Sequence, residues 1–169
     1  MSLHSELLAQ AQYLVRREPR RPRQASLRRS VSSAYYALFH LLIDEGSRRL
    51  VSGTQRSDLR QTLARAFTHQ EMKIVAERFS KGTVPPRLAN LLPSTSIPTQ
   101  LQDVAMAFVE LQQARHEADY NLSKRFSRQE AVDLVEMASD AFASWKMIRR
   151  TVEADIFLVG LLINKQIRA

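Results

Sequence analysis

The segment between Leu27 and Leu41 repeats apolar side chains at steps of three and four residues, the spacing of one helix face. The repeating residues are Leu27, Val31, Ala34, Leu38 and Leu41. The chain has 169 residues with only 4 glycines and few runs of β-branched residues, which favours helices over sheets. We therefore predict an all-α fold, and the length suits a single domain over residues 1–169.

Apolar periodicity and turn-forming residues divide the chain into five predicted helices. Their approximate spans are residues 2–17, 23–50, 55–80, 98–122 and 127–152. The third has Leu59, Leu63, Phe67 and Ile74 as its predicted inner positions. Ser127 and Glu130 form a capping-box pattern that opens the fifth helix. Residues 81–97 hold three prolines and predict a long loop, a kind of segment that is often functional or mobile.

The tail over residues 154–169 contains an apolar run from Ile156 to Ile163. Three interpretations of this run stay open: a buried strand, the end of the fifth helix, or a surface for another chain. The run is shorter than the ~20 residues that span a bilayer, so we expect no membrane segment.

The net charge of +8 favours a polyanionic partner, whether nucleic acid, an acidic membrane surface or an acidic protein. Arginines crowd the segment around Pro19 and Pro22, where Glu18 is the single acid. The planar guanidinium suits phosphate, and the prolines keep the cluster out of a helix interior. The candidate phosphate-binding residues are Arg16, Arg17, Arg20, Arg21 and Arg23. The alternative is a solvated, arginine-rich linker.

The chain lacks cysteine, which excludes disulfides and thiolate metal sites and fits a cytoplasmic protein. Its N-terminal residues lack the pattern of a secretory signal. The histidines show no metal-ligand spacing, and there is no glycine-rich phosphate loop. We expect neither a metal nor a cofactor.

A polar column lies beside the apolar face of the second predicted helix. Arg29, Ser33, Tyr36 and His40 recur at the same helical steps. Packing alone does not require a basic, hydroxyl, phenol and imidazole column, so we take it as a candidate functional stripe. The alternative is a solvated helix flank.

Arg115 occupies a position on the fourth predicted helix where the seam calls for an apolar residue. A buried guanidinium costs several kcal/mol unless it is paired and hydrogen-bonded. Arg115 therefore marks either an ion pair with Asp119, one helical turn away, or a cleft open to a ligand.

Two segments together resemble the HEPN family (higher eukaryotes and prokaryotes nucleotide-binding). Residues 29–40 resemble the family's Ser/Arg-Ala-Tyr-Tyr-Ala-x-Phe-His helix, and residues 115–120 resemble the Arg-x-x-Ala-Asp-Tyr segment of one branch. The resemblance covers roughly residues 2–151. It implies an up-and-down bundle of four or five helices, usually homodimeric, with the two polar stripes meeting in a cleft. The cleft residues would be Arg29, Ser33, Tyr36 and Asp119.

Many members of this family are ribonucleases of toxin–antitoxin, CRISPR or phage-defence systems. Others are binding modules, often encoded beside a small nucleotidyltransferase. The nucleolytic members carry an arginine, a short spacer and a histidine. Here Arg115 matches the arginine, but Tyr120, Asn121 and Leu122 occupy the positions expected for the histidine.

This departure matters because metal-independent RNA cleavage needs an acid and a base, and imidazole suits both near pH 7. A phenol with a pKa near 10 is a poor base.

Three functions stay open. The first is a HEPN-like module that binds RNA or nucleotide and acts with a partner protein. The second is a divergent endoribonuclease that uses Arg115 with His40, His116 or Tyr120. The third is an interaction protein that docks through its apolar tail.

Overall fold

A computed structural model describes residues 1–167, and helices account for 74% of the chain, with no strand among the described residues. The prediction of an all-α fold is confirmed. The described helices are α1 (Leu3–Arg16), α2 (Gln24–Leu50), α3 (Ser57–Ala64), α4 (His69–Ser80), α5 (Pro86–Ala89), α6 (Thr99–Tyr120), α7 (Arg128–Ile148) and α8 (Val152–Ile167). In this described part, no helix has the length and apolar character needed to cross a membrane.

The predicted boundaries of α1, α2 and α6 agree with the structure to within two residues. The predicted loop over residues 81–97 contains only the short helix α5. The capping box is also confirmed. The backbone N–H of Glu130 donates to Ser127 Oγ at 3.1 Å, and the Ser127 N–H donates to Glu130 Oε2 at 2.7 Å.

The single helix predicted over residues 55–80 is wrong, because the chain breaks between α3 and α4. Thr68 has extended backbone angles, and its hydroxyl accepts the N–H of Glu71, which starts a new helix at that point. Leu59, predicted to face inward, is 59% exposed. The apolar period continued through the break and concealed it.

The prediction of one long fifth helix over residues 127–152 is wrong for a similar reason. It ends at Ile148, and Thr151 caps a separate helix by accepting the N–H of Ala154 at 3.2 Å. Of the three interpretations of the apolar tail, the buried strand and the end of the fifth helix are wrong, and the surface for another chain stays a prediction. The run from Ile156 to Ile163 lies within α8, a helix distinct from α7.

The chain forms two compact units. Unit 1 contains Met1–Leu41 and Ala107–Ala143. Its core is built from fully buried side chains of α2 and α6: Val31, Ala34, Tyr35, Leu38, Phe108 and Leu111. Two side chains bind distant backbone groups in this unit. Gln24 exchanges hydrogen bonds with both backbone groups of Phe126, and Arg128 donates to the carbonyl oxygens of Val15 and Glu18 near the end of α1.

Unit 2 contains Leu42–Met106 and Ser144–Ala169, of which residues 168 and 169 lie outside the described part. Phe157 of α8 packs against Phe79 of α4 with ring centroids 4.8 Å apart, and against Trp145 at 6.5 Å. The Glu45 carboxylate accepts two hydrogen-bonding contacts from Arg149 just after α7, at 3.1 Å and 2.6 Å. Half of the apolar side chains of α8 are buried in this unit, among them Ile156, Phe157 and Leu158, so the chain itself covers part of the surface that the third hypothesis required.

Candidate functional site

Arg115 lies on the inner side of α6 in unit 1, and only 9% of its surface is exposed. Its guanidinium carbon is 5.2 Å from the centre of the Tyr35 ring, 5.7 Å from Tyr36 and 6.0 Å from Tyr120. These distances fall within the range of cation–π attraction. Three aromatic rings therefore surround a charge that the helix seam alone would not tolerate.

The expected ion pair with Asp119 is present but long. Arg115 Nη1 lies 3.8 Å from Asp119 Oδ2, while Asp119 Oδ1 accepts a hydrogen bond from Ser32. The buried Nε of Arg115 has no hydrogen-bond partner among residues 1–167. Burial raises the pKa of the Tyr35 phenol, and the charge and hydrogen bond of Arg115 oppose that rise. Asp119 thus offsets the positive charge of Arg115 only in part, because its other oxygen is engaged by Ser32.

An open groove of about 490 Å³ lies along this cluster, between α2 and the end of α6. Its size is within the range of small-molecule sites. Both walls contribute aromatic and charged groups. The lining residues are Ala25, Arg28, Arg29, Ser32, Tyr36, Ala118, Asp119 and Tyr120. The groove therefore joins the two polar segments identified from the sequence.

Arg28 fixes one end of the groove. Its guanidinium donates to the carbonyl oxygens of Ala118 at 2.8 Å and Asn121 at 2.9 Å, and also to that of Lys124. The carbonyls of Ala118 and Asn121 lie at the C-terminal end of α6, where a cation pairs with free acceptors and interacts favourably with the helix dipole, and Lys124 lies in the segment that follows. Arg28 thereby joins α2 to the end of α6.

Arg29 is the exposed cation of the groove. No hydrogen bond or ion pair of its guanidinium occurs within the described chain. The acid in the lining, Asp119, is already engaged by Ser32 and Arg115. The groove therefore presents a net positive charge beside two tyrosine rings, which suits an anion carrying a planar group.

Two of the four histidines, His40 and His116, border the groove without lining it. His40 is half-buried, with its ring 6.3 Å from Tyr36 and 5.3 Å from Phe39. Burial and, secondly, the charge of His4 lower the pKa of His40. His116 is exposed, and its ring lies 5.2 Å from that of Tyr120. Each imidazole is thus adjacent to one of the groove tyrosines.

Other predicted site residues lie elsewhere. Ser33 is buried and donates to Gln10 Oε1 at 3.0 Å, so it joins α2 to α1 and does not line the groove. The predicted phosphate-binding arginines are all exposed and also lie outside the groove lining. They are located at the end of α1 and in the segment before α2: Arg16, Arg17, Arg20, Arg21 and Arg23.

Sequence reasoning missed Ser32, Tyr35 and Arg28. Arg28, Ser32 and Tyr36 also recur at four-residue steps, so this second column fitted the helical period as well as the chosen one did. The hydroxyl of Ser32, four residues before Tyr36, was the available signal. Tyr35 gave none, because it is fully buried and reads as core.

A scan of protein-family models and searches of curated proteins and of solved structures found no match to this chain. Within residues 1–167, no three histidine or acidic side chains come together as a metal site.

Proposed function

We propose that this chain is a HEPN-like protein that binds RNA or a nucleotide, acts with a partner protein in a prokaryotic toxin–antitoxin or defence system, and lacks the usual nuclease motif. The observation that supports it best is the Arg115 guanidinium, buried under a groove whose walls carry Arg29, Tyr36 and Tyr120.

The groove combines the two features that nucleotides need. Arg29 offers an unpaired cation to a phosphate, while the tyrosine rings offer π-faces to a base. Arg115 adds positive charge from below at low solvent exposure, where electrostatic attraction is less screened than at the surface.

The binding role is favoured over catalysis because the positions where the family's histidine is expected hold Tyr120, Asn121 and Leu122. Tyr120 is 66% exposed, and a phenol is a poor general base at neutral pH. By resemblance, we propose that the protein is a homodimer with a small nucleotidyltransferase-type partner.

The test is fluorescence anisotropy with a labelled single-stranded RNA, together with calorimetry using ATP. We expect affinity for RNA that falls steeply with salt. Arg29→Ser and Arg115→Met should weaken binding roughly tenfold or more. Arg150→Ser removes an exposed charge from unit 2 and is the control. Absence of RNA and ATP binding at low salt, or equal losses in all three variants, would contradict the proposal.

The alternative is a metal-independent endoribonuclease, and one observation favours keeping it. The lowered pKa of His40 makes a neutral imidazole available beside Tyr36 at pH 7. RNA cleavage in EDTA that is abolished by both Arg115→Ala and His40→Gln would establish this activity, and no cleavage products would dismiss it.

A further inference from the structure

We infer that the outer face of α1, formed by Tyr13, Arg16 and Arg17 and continued by Arg20 and Arg21, is a second contact surface for single-stranded RNA, with a base stacked on Tyr13. This inference rests on the proposed RNA-binding function and places an additional contact outside the groove.

Arginines near the end of a helix often serve to cap it, but here that role is already filled. Arg128 donates to the carbonyl oxygens of Val15, at 2.7 Å, and of Glu18. The guanidiniums of Arg16 and Arg17 are exposed and make no ion pair within residues 1–167. They are therefore not required to hold the end of α1.

The local acid is engaged as well. Glu18 accepts a hydrogen bond from the Ser26 hydroxyl at 3.0 Å and lies 3.8 Å from Arg23 Nε. It therefore compensates Arg23 and not the other four arginines of the segment. Four positive charges remain exposed within six residues: Arg16, Arg17, Arg20 and Arg21. Such a density matches a phosphate backbone better than an isolated anion.

Tyr13 distinguishes this surface from a merely basic one. It is 64% exposed and lies three and four residues before Arg16 and Arg17, so the three share one face of α1. With Gln12, whose amide donates to Ser139 at 3.2 Å, they line a shallow recess of about 410 Å³. An exposed aromatic ring among cations is the arrangement on which unpaired bases stack.

Stacking of a base on the Tyr13 ring favours single-stranded over double-stranded nucleic acid. In a duplex the base faces are covered by their neighbours, whereas a single strand can place one base on the ring. An acidic membrane surface or acidic protein would use the same charges but would not need the flat face of Tyr13.

The experiment measures binding of a labelled 12-nucleotide oligouridine to the full chain by anisotropy. Tyr13→Ala should weaken binding about 5- to 100-fold, Tyr13→Leu should do the same, and Tyr13→Phe should retain most of the affinity. Leu3→Ala, an exposed apolar residue on the same helix, is the control and should have no effect. Replacing Arg16, Arg17, Arg20 and Arg21 by Ser should reduce the salt slope by about 3.

The outcomes separate the two proposals. If the wild type binds RNA but Tyr13→Ala and Tyr13→Phe bind equally well, this inference fails and the proposed function stands. If the wild type binds ATP but no RNA, this inference also fails while the proposed function stands. If it binds neither, both fail. Equal affinity for duplex and single-stranded RNA, or tighter binding to acidic phospholipid vesicles than to oligouridine, also overturns the inference.

Discussion

The guanidinium carbon of Arg115 lies 5.2 Å from the centre of the Tyr35 ring, and both residues are buried. The Asp119 carboxylate is held off at 3.8 Å and is shared with Ser32. Aromatic faces attract a cation but do not neutralise it. The positive charge of Arg115 can therefore still attract an anion in the groove. The same side chain packs against the aromatic core and would help to bind a ligand.

Arg115→Met separates these two roles. Methionine fills a similar length of the α6 seam and removes the cost of burying a charge, so the free energy of unfolding should change by less than about 1 kcal/mol or increase. RNA affinity should fall roughly tenfold or more, because the buried charge is lost. Urea unfolding and anisotropy on the same sample measure both. A large loss of stability with unchanged affinity would show that Arg115 is only structural.

Substitutions of the two neighbouring arginines, Arg28 and Arg29, should differ in their effect on the free energy of unfolding. Arg28→Ala should lower the free energy of unfolding by about 2 kcal/mol, because the carbonyl oxygens of Ala118 and Asn121 lose a charged donor. Arg29→Ala should change it by less than about 0.5 kcal/mol, since Arg29 is exposed and has no partner to lose. RNA affinity should fall in Arg29→Ala. Denaturant midpoints that rank the two variants the other way would contradict this assignment.

The sequence predicted the helical class, the boundaries of three helices and the inward position of Arg115, because apolar periodicity and a charge on an apolar seam are local signals. It failed where periodicity continued across a break, as at Thr68 and Thr151, since one capping hydroxyl redirects the chain without disturbing the pattern. The prediction also placed Ser33 in the cleft, whereas Ser32 is the serine that lines the groove. Adjacent columns of a 3.6-residue helix differ by only 100°, so a choice between them requires knowledge of the packing partner.

Gly46 provides a test of packing in unit 2. A Cβ at this position would lie 2.8 Å from Phe67 Cζ, and Phe67 is itself buried. Gly46→Ala should therefore destabilise the protein by about 1–2 kcal/mol, although alanine favours a helix. Phe67→Leu removes the clashing ring atoms, so the double variant should lose less than the sum of the single variants. Thermal unfolding of the four proteins tests this, and strict additivity would argue against the contact.

Because the pKa of His40 is lowered in the folded protein, the free energy of unfolding should depend on pH. Its pKa is lowered below the ordinary 6.5 in the folded state, chiefly by burial and then by His4. As the pH falls through 6.5, the unfolded chain binds a proton first, so stability present above that pH is lost until the folded pKa is reached. His40→Gln should show a shallower fall between pH 7.5 and 5 in urea midpoints. Identical slopes in the two proteins would refute the role of His40, and NMR titration of its ring checks the pKa directly.

The most direct test of the central claim is an aromatic NMR titration of the ¹³C-labelled protein with a short single-stranded RNA. All 4 tyrosines lie in unit 1, and the single tryptophan, Trp145, lies in unit 2 as an internal control. We predict that Tyr36 and Tyr120 shift on binding while Trp145 does not, and that Arg115→Met suppresses the shifts. Resonances of Tyr36 and Tyr120 that stay fixed while RNA binds would contradict the account.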